Sequence, residues 1–422
     1  MSAALPAALR ALRSRNFRVF FAGQFVSLVG MWMQTLATSW LVYRLTGSAL
    51  LLGITAGVQQ LPILFLAPLA GVWAERVNRR RVLIITQSLS SLQALALAVL
   101  TFSGAISIPL IIVMGLLMGV INAVETPTRQ AFLLELIEER RDLPNAIALQ
   151  ATMWQAARFI GPSLAGLVLA GFGEAWCFLL NALSYLAIVA AYVLIKVAPR
   201  NVPGAIGNWR RQLAEGFRFG FGFLGTRRLL LLLGTVSFFT ASWSSLMPIF
   251  AAEIFAGDSR TLGFLIGAVG MGALGGGAWL ALRSSVRGLG GVAAATTVLA
   301  GAAMTAFSQS TALALSLGLL VVFGFGLVVT AAASNTLLQT LADEDKRARV
   351  ISLYVMFFLG MMPIGNFVTG AIAERAGAPL TFLLCGLVVC AAGAAFALGL
   401  KRWNEAVRPI YIKRGVIAQP DK

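Results

Sequence analysis

"GVWAERVNRRR", residues 71–81, sets Glu75, Arg76, Arg79, Arg80 and Arg81 close together in a chain that is 59% hydrophobic and only 12% charged. The apolar stretches on either side decide the fold. Residues 49–74 before it and 82–103 after it are each long enough to cross a hydrocarbon core ~30 Å thick, which takes ~20 helical residues. The charged knot is then a short link at a membrane face. The same division extends along the chain, whose mean hydropathy of +0.85 over 422 residues exceeds what a soluble core requires.

Twelve spans result: 17–43, 49–74, 82–103, 106–133, 144–171, 176–196, 228–252, 260–282, 288–308, 311–341, 347–373 and 379–401. They far exceed the ~9–11 residues of a membrane strand and lack strict alternation, so an all-α membrane protein is expected rather than a barrel. Residues 1–16 are basic and run into the first span without a small-residue cleavage site, so no removable signal peptide is read. Of the 33 Lys and Arg, three (Arg44, Arg260, Arg375) fall in loops on one side, one (Arg158) inside a span and 29 on the other side. The positive-inside rule then makes both termini cytoplasmic, in a bacterial-type inner membrane. The net charge of +17 is thereby explained by topology and attraction to anionic lipid, without a nucleic-acid partner.

Catalytic and metal chemistry find little support. The chain has no His, and its three cysteines (Cys177, Cys385, Cys390) lie at the ends of or within apolar spans without metal spacing. No GxSxG or GxxxxGK[ST] occurs, and no soluble domain could hold one. Neither an enzyme nor a bound cofactor or metal is expected, and a secondary transporter leads among membrane functions.

The longest polar stretch splits the chain into an N-terminal six-helix half (1–196), a cytoplasmic linker (197–227), a C-terminal six-helix half (228–402) and a tail (403–422). The halves echo each other around the link from fourth to fifth span. One reads "TRQAFLLELIEERRDLPNAIALQATMWQAARFIGPSLAG" and the other "NTLLQTLADEDKRARVISLYVMFFLGMMPIGNFVTG". Asp142 before Pro144, and Asp343 in the second copy, are expected helix starts. Repeated halves put a binding site near the bilayer midplane and permit rocking about it.

With these features in place, residues 71–81 resemble the loop between second and third spans of the major facilitator superfamily, G-x-x-x-D-R-x-G-R-R-x. Gly71, Glu75, Arg76, Asn78, Arg79 and Arg80 occupy its positions, with Glu75 for Asp and Asn78 for Gly, a residue tolerant of left-handed backbone. The resemblance implies the pseudo-symmetric twelve-helix facilitator fold. It also implies a latch in which Gly71 allows close packing, Glu75 meets the eleventh span near Arg349, and the arginines pair with fourth-span carboxylates such as Glu125. "RFIGPSLAG" (158–166) is similar to the G-P-x-x-x-G ending of the antiporter motif in this superfamily, with Gly161, Pro162 and Gly166 kinking the fifth span and packing it on the eighth; Pro363 stands at the matching place in the second half. "NAVETPTRQAFLLEL" and "DLPNAIAL" resemble the branch of drug and siderophore exporters that includes macrolide efflux proteins and the enterobactin exporter.

Charged groups inside spans are costly and usually face a cavity or a partner. Glu125 and Arg158 are the candidates: Glu125 as proton carrier, Arg158 as the charge that tunes it or meets an anionic substrate, or the two as a structural pair. The family architecture places spans one, four, seven and ten around the cavity, which gives Met31, Gln34, Thr35, Met118, Asn122, Phe239, Trp243, Phe323 and Phe325 as its wall. Such a wall suits an amphipathic, bulky solute. The expected function is export by alternating access in exchange for protons, with the substrate, protons and bilayer as partners and a monomer sufficient. Uptake or flipping of a lipid-like solute and a non-transporting sensor remain as alternatives.

Overall fold

The computed structural model describes residues 7–74, 77–137, 139–196, 220–283, 285–342 and 347–414. Among these, every regular element is helical. The helices are α1 (Arg15–Thr46), α2 (Ala49–Ala74), α3 (Arg79–Phe102), α4 (Ile108–Leu136), α5 (Leu143–Phe172), α6 (Glu174–Leu194) and α7 (Leu224–Phe239). They continue as α8 (Ser259–Ala281), α9 (Leu289–Gln309), α10 (Leu313–Leu341), α11 (Arg347–Leu359), α12 (Met361–Ala376), α13 (Ala378–Leu398) and α14 (Leu400–Lys413). Among the described residues, eleven segments are long and apolar enough to cross a membrane. The fifth span is not among them, because Arg158, Gln150 and Gln155 dilute the hydropathy of the 30-residue α5.

Local chemistry sets the ends. Ser14 caps α1 by accepting from Phe17 N, and Gly47, at φ +62°, closes it with an N–H to Tyr43 O at 2.7 Å. Asn78 is not left-handed: at φ −68°, ψ 100° it is extended, and its Oδ1 accepts from Arg81 N at 3.1 Å. Its place in the link is that of a helix N-cap. Pro144 sits in the first turn of α5 and Pro363 in the first turn of α12, where a missing N–H costs nothing. The eleventh span breaks just before Pro363, at Gly360.

Two compact units form: Met1–Ala205 with Met247–Gly270, and Ile206–Leu246 with Met271–Lys422. In the first, α6 packs on α1 and α3, α4 on α2 and α3, and α5 on α1. In the second, α9 packs on α13 and α10, and α7 packs on α11, α12 and α13. Third and sixth spans thus pair in both units. The α9/α13 crossing is close enough that a Cβ on Gly301 would come within 2.7 Å of Gly386 O.

Each unit also ties its first span to the end of its sixth. Asn16 donates to Lys196 O at 3.0 Å, and Arg228 donates to Gly399 O at 2.6 Å. Flanking segments are docked as well. A 3-10 helix at Ala7–Arg13 places Arg10 against Asp142 and the carbonyl of Arg141, while Ala11 N donates to Asn145 Oδ1 at 2.9 Å. At the other terminus, Trp403, Val407 and Tyr411 share one buried face of α14, and Trp403 Nε1 donates to Gly225 O at 2.9 Å.

Candidate functional site

The inward face of α4 carries Glu125, Thr128, Arg129 and Phe132, all buried. One helical turn separates Glu125 from Arg129, the spacing at which side chains meet, and Arg129 Nε lies 2.8 Å from Glu125 Oε1. Gln87 of α3 donates to the same oxygen at 3.3 Å, and Arg129 also covers the ring of Trp154 of α5 at 5.3 Å. A buried charge pair survives only when its remaining hydrogen-bonding capacity is met, which Gln87 and Trp154 help to do. The basic group on Glu125 is therefore Arg129 of its own helix, and not Arg158 as the sequence suggested. Arg158 instead places its guanidinium over Trp32 of α1, 5.5 Å from the ring centre.

The link arginines correct a second expectation. Arg79 pairs with Glu135, at the end of α4, through Nη1 and Oε1 at 2.5 Å, rather than with Glu125. Arg80 forks onto the last turn of α6, donating from Nε to Tyr192 O and from Nη2 to Val193 O, both at 2.6 Å. A guanidinium is well suited there, because the final carbonyls of a helix lack partners and carry its negative end. Gly71 lies in the last turn of α2, while Glu75 and Arg76 fall outside the described residues, as does Asp343.

Farther along the first unit is a small cavity of about 20 Å³, room for about one water. Met31, Gln34, Thr35 and Met118 are among the residues that line it. Thr38, Thr55, Gln59, Gln93 and Tyr185 line it too, so its wall is more polar than the sequence implied. Asn122 lies one turn beyond Met118, outside the lining set. Three helices supply a chain of amides behind it: Asn181 Nδ2 donates to Gln34 Oε1 at 2.7 Å, Gln34 Nε2 to Gln93 Oε1 at 3.1 Å, and Gln93 Nε2 to Met114 O at 3.2 Å. Such a network orients the cavity's amides and resists water-driven rearrangement.

Helix α5, continuous through Pro162, is packed by its glycines in two directions. A Cβ on Gly161 would come within 2.5 Å of Trp32 Cβ, so Gly161 faces α1 and not the eighth span. Gly166 does meet α8: a Cβ there would lie 2.8 Å from Ser259 O and 3.1 Å from Gly263 Cα. Pro162 has no N–H to offer the carbonyl of Arg158, and a Cβ on Gly270 of α8 would lie 2.7 Å from that oxygen.

In the second unit, Trp243 and Phe323 are packed against each other inside the fold, ring centres 6.3 Å apart, each under 5% exposed. Phe239 stacks edge-on with Phe238, and Phe325 turns away to Trp279 of α8. Sequence reasoning treated the seventh span as continuous, but it unwinds. α7 ends at Phe239, a 3-10 turn spans Ala241–Trp243, and the chain resumes through Met247–Ile249 into a π-helical turn, Phe250–Ile254. The signal was the run "TASWSSLMP" (240–248): hydroxyls that compete for backbone groups, followed by Pro248, which has no N–H to give. At the end of that turn Glu253 accepts from Tyr43 OH at 3.0 Å. The three cysteines are free thiols, and no group of residues able to hold a metal occurs among the described residues.

Comparison with known proteins agrees with this architecture. The staphyloferrin A transporter of Staphylococcus aureus is 28% identical over 381 residues, 88% of this chain and 92% of the relative. The multidrug efflux pump Tap of Mycolicibacterium fortuitum is 25% identical over 88% of this chain and 93% of its own. Macrolide efflux protein A of Streptococcus pyogenes is 22% identical over 89% and 94%. Among solved structures, a bacterial homologue of the human lysosomal transporter Spinster shares the fold with a TM-score of 0.73 at 13% identity, covering 93% of this chain and 98% of that one. A POT family transporter bound to 5-aminolevulinic acid gives the same score at 12% identity, over 92% and 97%. The transmembrane secretion effector family of the major facilitator superfamily matches residues 6–410, and the chain belongs to it.

Proposed function

We propose that this protein exports an amphipathic small molecule by alternating access, in exchange for protons that bind Glu125. The family match and relatives named for siderophore, multidrug and macrolide transport support export rather than catalysis. The observation that carries proton coupling is the Glu125–Arg129 pair: a carboxylate buried at membrane depth, near a polar cavity. An ionisable group so placed is costly and is kept where it moves charge or opposes it. The cavity's Gln, Thr and Tyr groups beside Met31, Met118 and Ile111 suit a solute that carries both apolar surface and hydrogen-bonding oxygens. In this reading the protein lies in the inner membrane of a bacterium with both termini cytoplasmic, takes lipid as its solvent, and works as a monomer.

The test uses proteoliposomes enclosing a pH dye, to which macrolides, catechol siderophores and lysolipids are added while lumenal pH and solute are followed. Wild-type protein is expected to couple solute entry to proton movement, and Glu125→Gln to lose that coupling. Solute movement without a proton signal would overturn antiport; transport of lysolipids alone would favour lipid flipping.

A further inference from the structure

Below the cavity, the first unit holds several buried polar atoms that the mechanism so far leaves unused. Gln87 gives its Nε2 to Glu125, but its own Oε1 has no hydrogen-bond partner. The Tyr192 hydroxyl is also unpartnered, the Tyr185 hydroxyl has only the Asn181 side chain within reach, and both side chains are at least nine-tenths buried. Tyr185 lines the cavity. Tyr192 stands seven residues on along α6, hence on the same face and about 10 Å farther down. Both hydroxyls lie within electrostatic reach of Glu125, and Tyr192 within reach of Arg129 as well. On α3, Gln93 at the cavity and Gln87 at the carboxylate are separated by about 9 Å.

Buried polar atoms are nearly always hydrogen-bonded, so two orphans and a third underused hydroxyl around one carboxylate need an explanation. Their arrangement supplies one. Tyr185 lines the cavity, Gln87 touches the carboxylate and Tyr192 lies within its electrostatic reach, and each has capacity left for water.

We propose that Glu125 exchanges its proton with the cavity through the interior of the first unit, along a polar column formed by Tyr185, Gln87 and Tyr192. A hydronium entering at the cavity passes its proton from water to water. The last transfer forms the O–H bond on a Glu125 oxygen and leaves a neutral water. Gln87 Oε1 and the two hydroxyls orient these waters, and Gln87 stands at the final step because it touches the carboxylate. Arg129, Thr126, Gln87, Tyr185 and Tyr192 are the polar and charged groups that face Glu125 from α4, α3 and α6, Thr126 donating to Oε2 at 3.5 Å, and Trp154 of α5 backs Arg129. Gln87, Tyr185 and Tyr192 are positioning residues; the proton's site is Glu125. The inference rests on the reading of Glu125 as proton carrier.

The test needs no knowledge of the substrate. Full-length protein in proteoliposomes is given a pH jump while infrared difference spectra follow the carbonyl stretch of a protonated carboxyl. The Glu125 band is identified by its loss in Glu125→Gln. Tyr185→Phe and Gln87→Leu are expected to slow its appearance about tenfold, the effect of one lost hydrogen bond to a charged species, without changing its final size. Tyr43→Phe, outside the column, is expected to leave the rate alone. Tyr185→Phe keeps the packing of the ring, and a band of unchanged final size shows that the fold is intact. If Glu125→Gln removes no band, the carrier reading fails. If the band is Glu125's but both variants protonate at the wild-type rate, the column fails and the carrier stands.

Discussion

Arg129 holds Glu125 across one turn of α4, Nε to Oε1 at 2.8 Å, with both side chains in the protein interior. Removing one member of such a pair strands the other charge without water or a counter-ion, whereas removing both leaves neither. Arg129→Met is therefore expected to cost about 3–5 kcal/mol. The double variant Glu125→Gln, Arg129→Met should recover most of it. Thermal unfolding of the four proteins in one detergent decides this; additive losses would mean the two side chains do not compensate each other.

Gly166 and Gly171 of α5 make opposite predictions. A Cβ at 166 meets the backbone of α8, at Ser259 O and Gly263 Cα, while one at 171 meets nothing within 4 Å. Gly166→Ala should cost about 1–3 kcal/mol through overpacking, and Gly171→Ala should be neutral or slightly stabilising. Transport and melting temperature measured on both variants would separate close packing from a general aversion to alanine in this helix.

Arg80 forks onto two carbonyls at the end of α6, which a lysine ammonium cannot reproduce. Arg80→Lys should therefore lose more than half of what Arg80→Ala loses. Equal stability of wild type and Arg80→Lys would reduce the residue to a general positive charge.

Arg44 and Glu174 join the start of α6 to the end of α1 by two hydrogen bonds, yet the arginine side chain is 54% exposed. Arg44→Ala should cost less than about 1 kcal/mol and the loss should shrink in high salt. Unfolding measured at two salt concentrations tests it.

The spans were legible because apolar runs of membrane length leave few alternatives, and the link at 71–81 because Gly71 and Glu75 add to the arginines a pattern that charge balance alone does not produce. The partner of Glu125 was less so. Read from the sequence, Arg158 counts as the one basic residue inside a span and Arg129 is passed over, although helical spacing, four residues against thirty-three, favours Arg129. The amides Gln34, Gln93 and Asn181 drew no attention as a set, since they sit on three helices and converge only after folding. The unwinding of the seventh span hid for a different reason. Its hydroxyl-rich run is apolar enough on average to pass for helix, and average hydropathy is blind to competition for backbone hydrogen bonds.

The anchoring of α14 has a practical side. Trp403 fills the space above Gly290, where any Cβ would strike its ring, and it reaches back to Gly225 at the head of the seventh span. The last helix is thus woven into the second unit, although its polar sequence invites trimming. Expression vectors that shorten the C-terminus to before Trp403, or fuse a reporter there, should yield a protein that inserts but is poorly recovered.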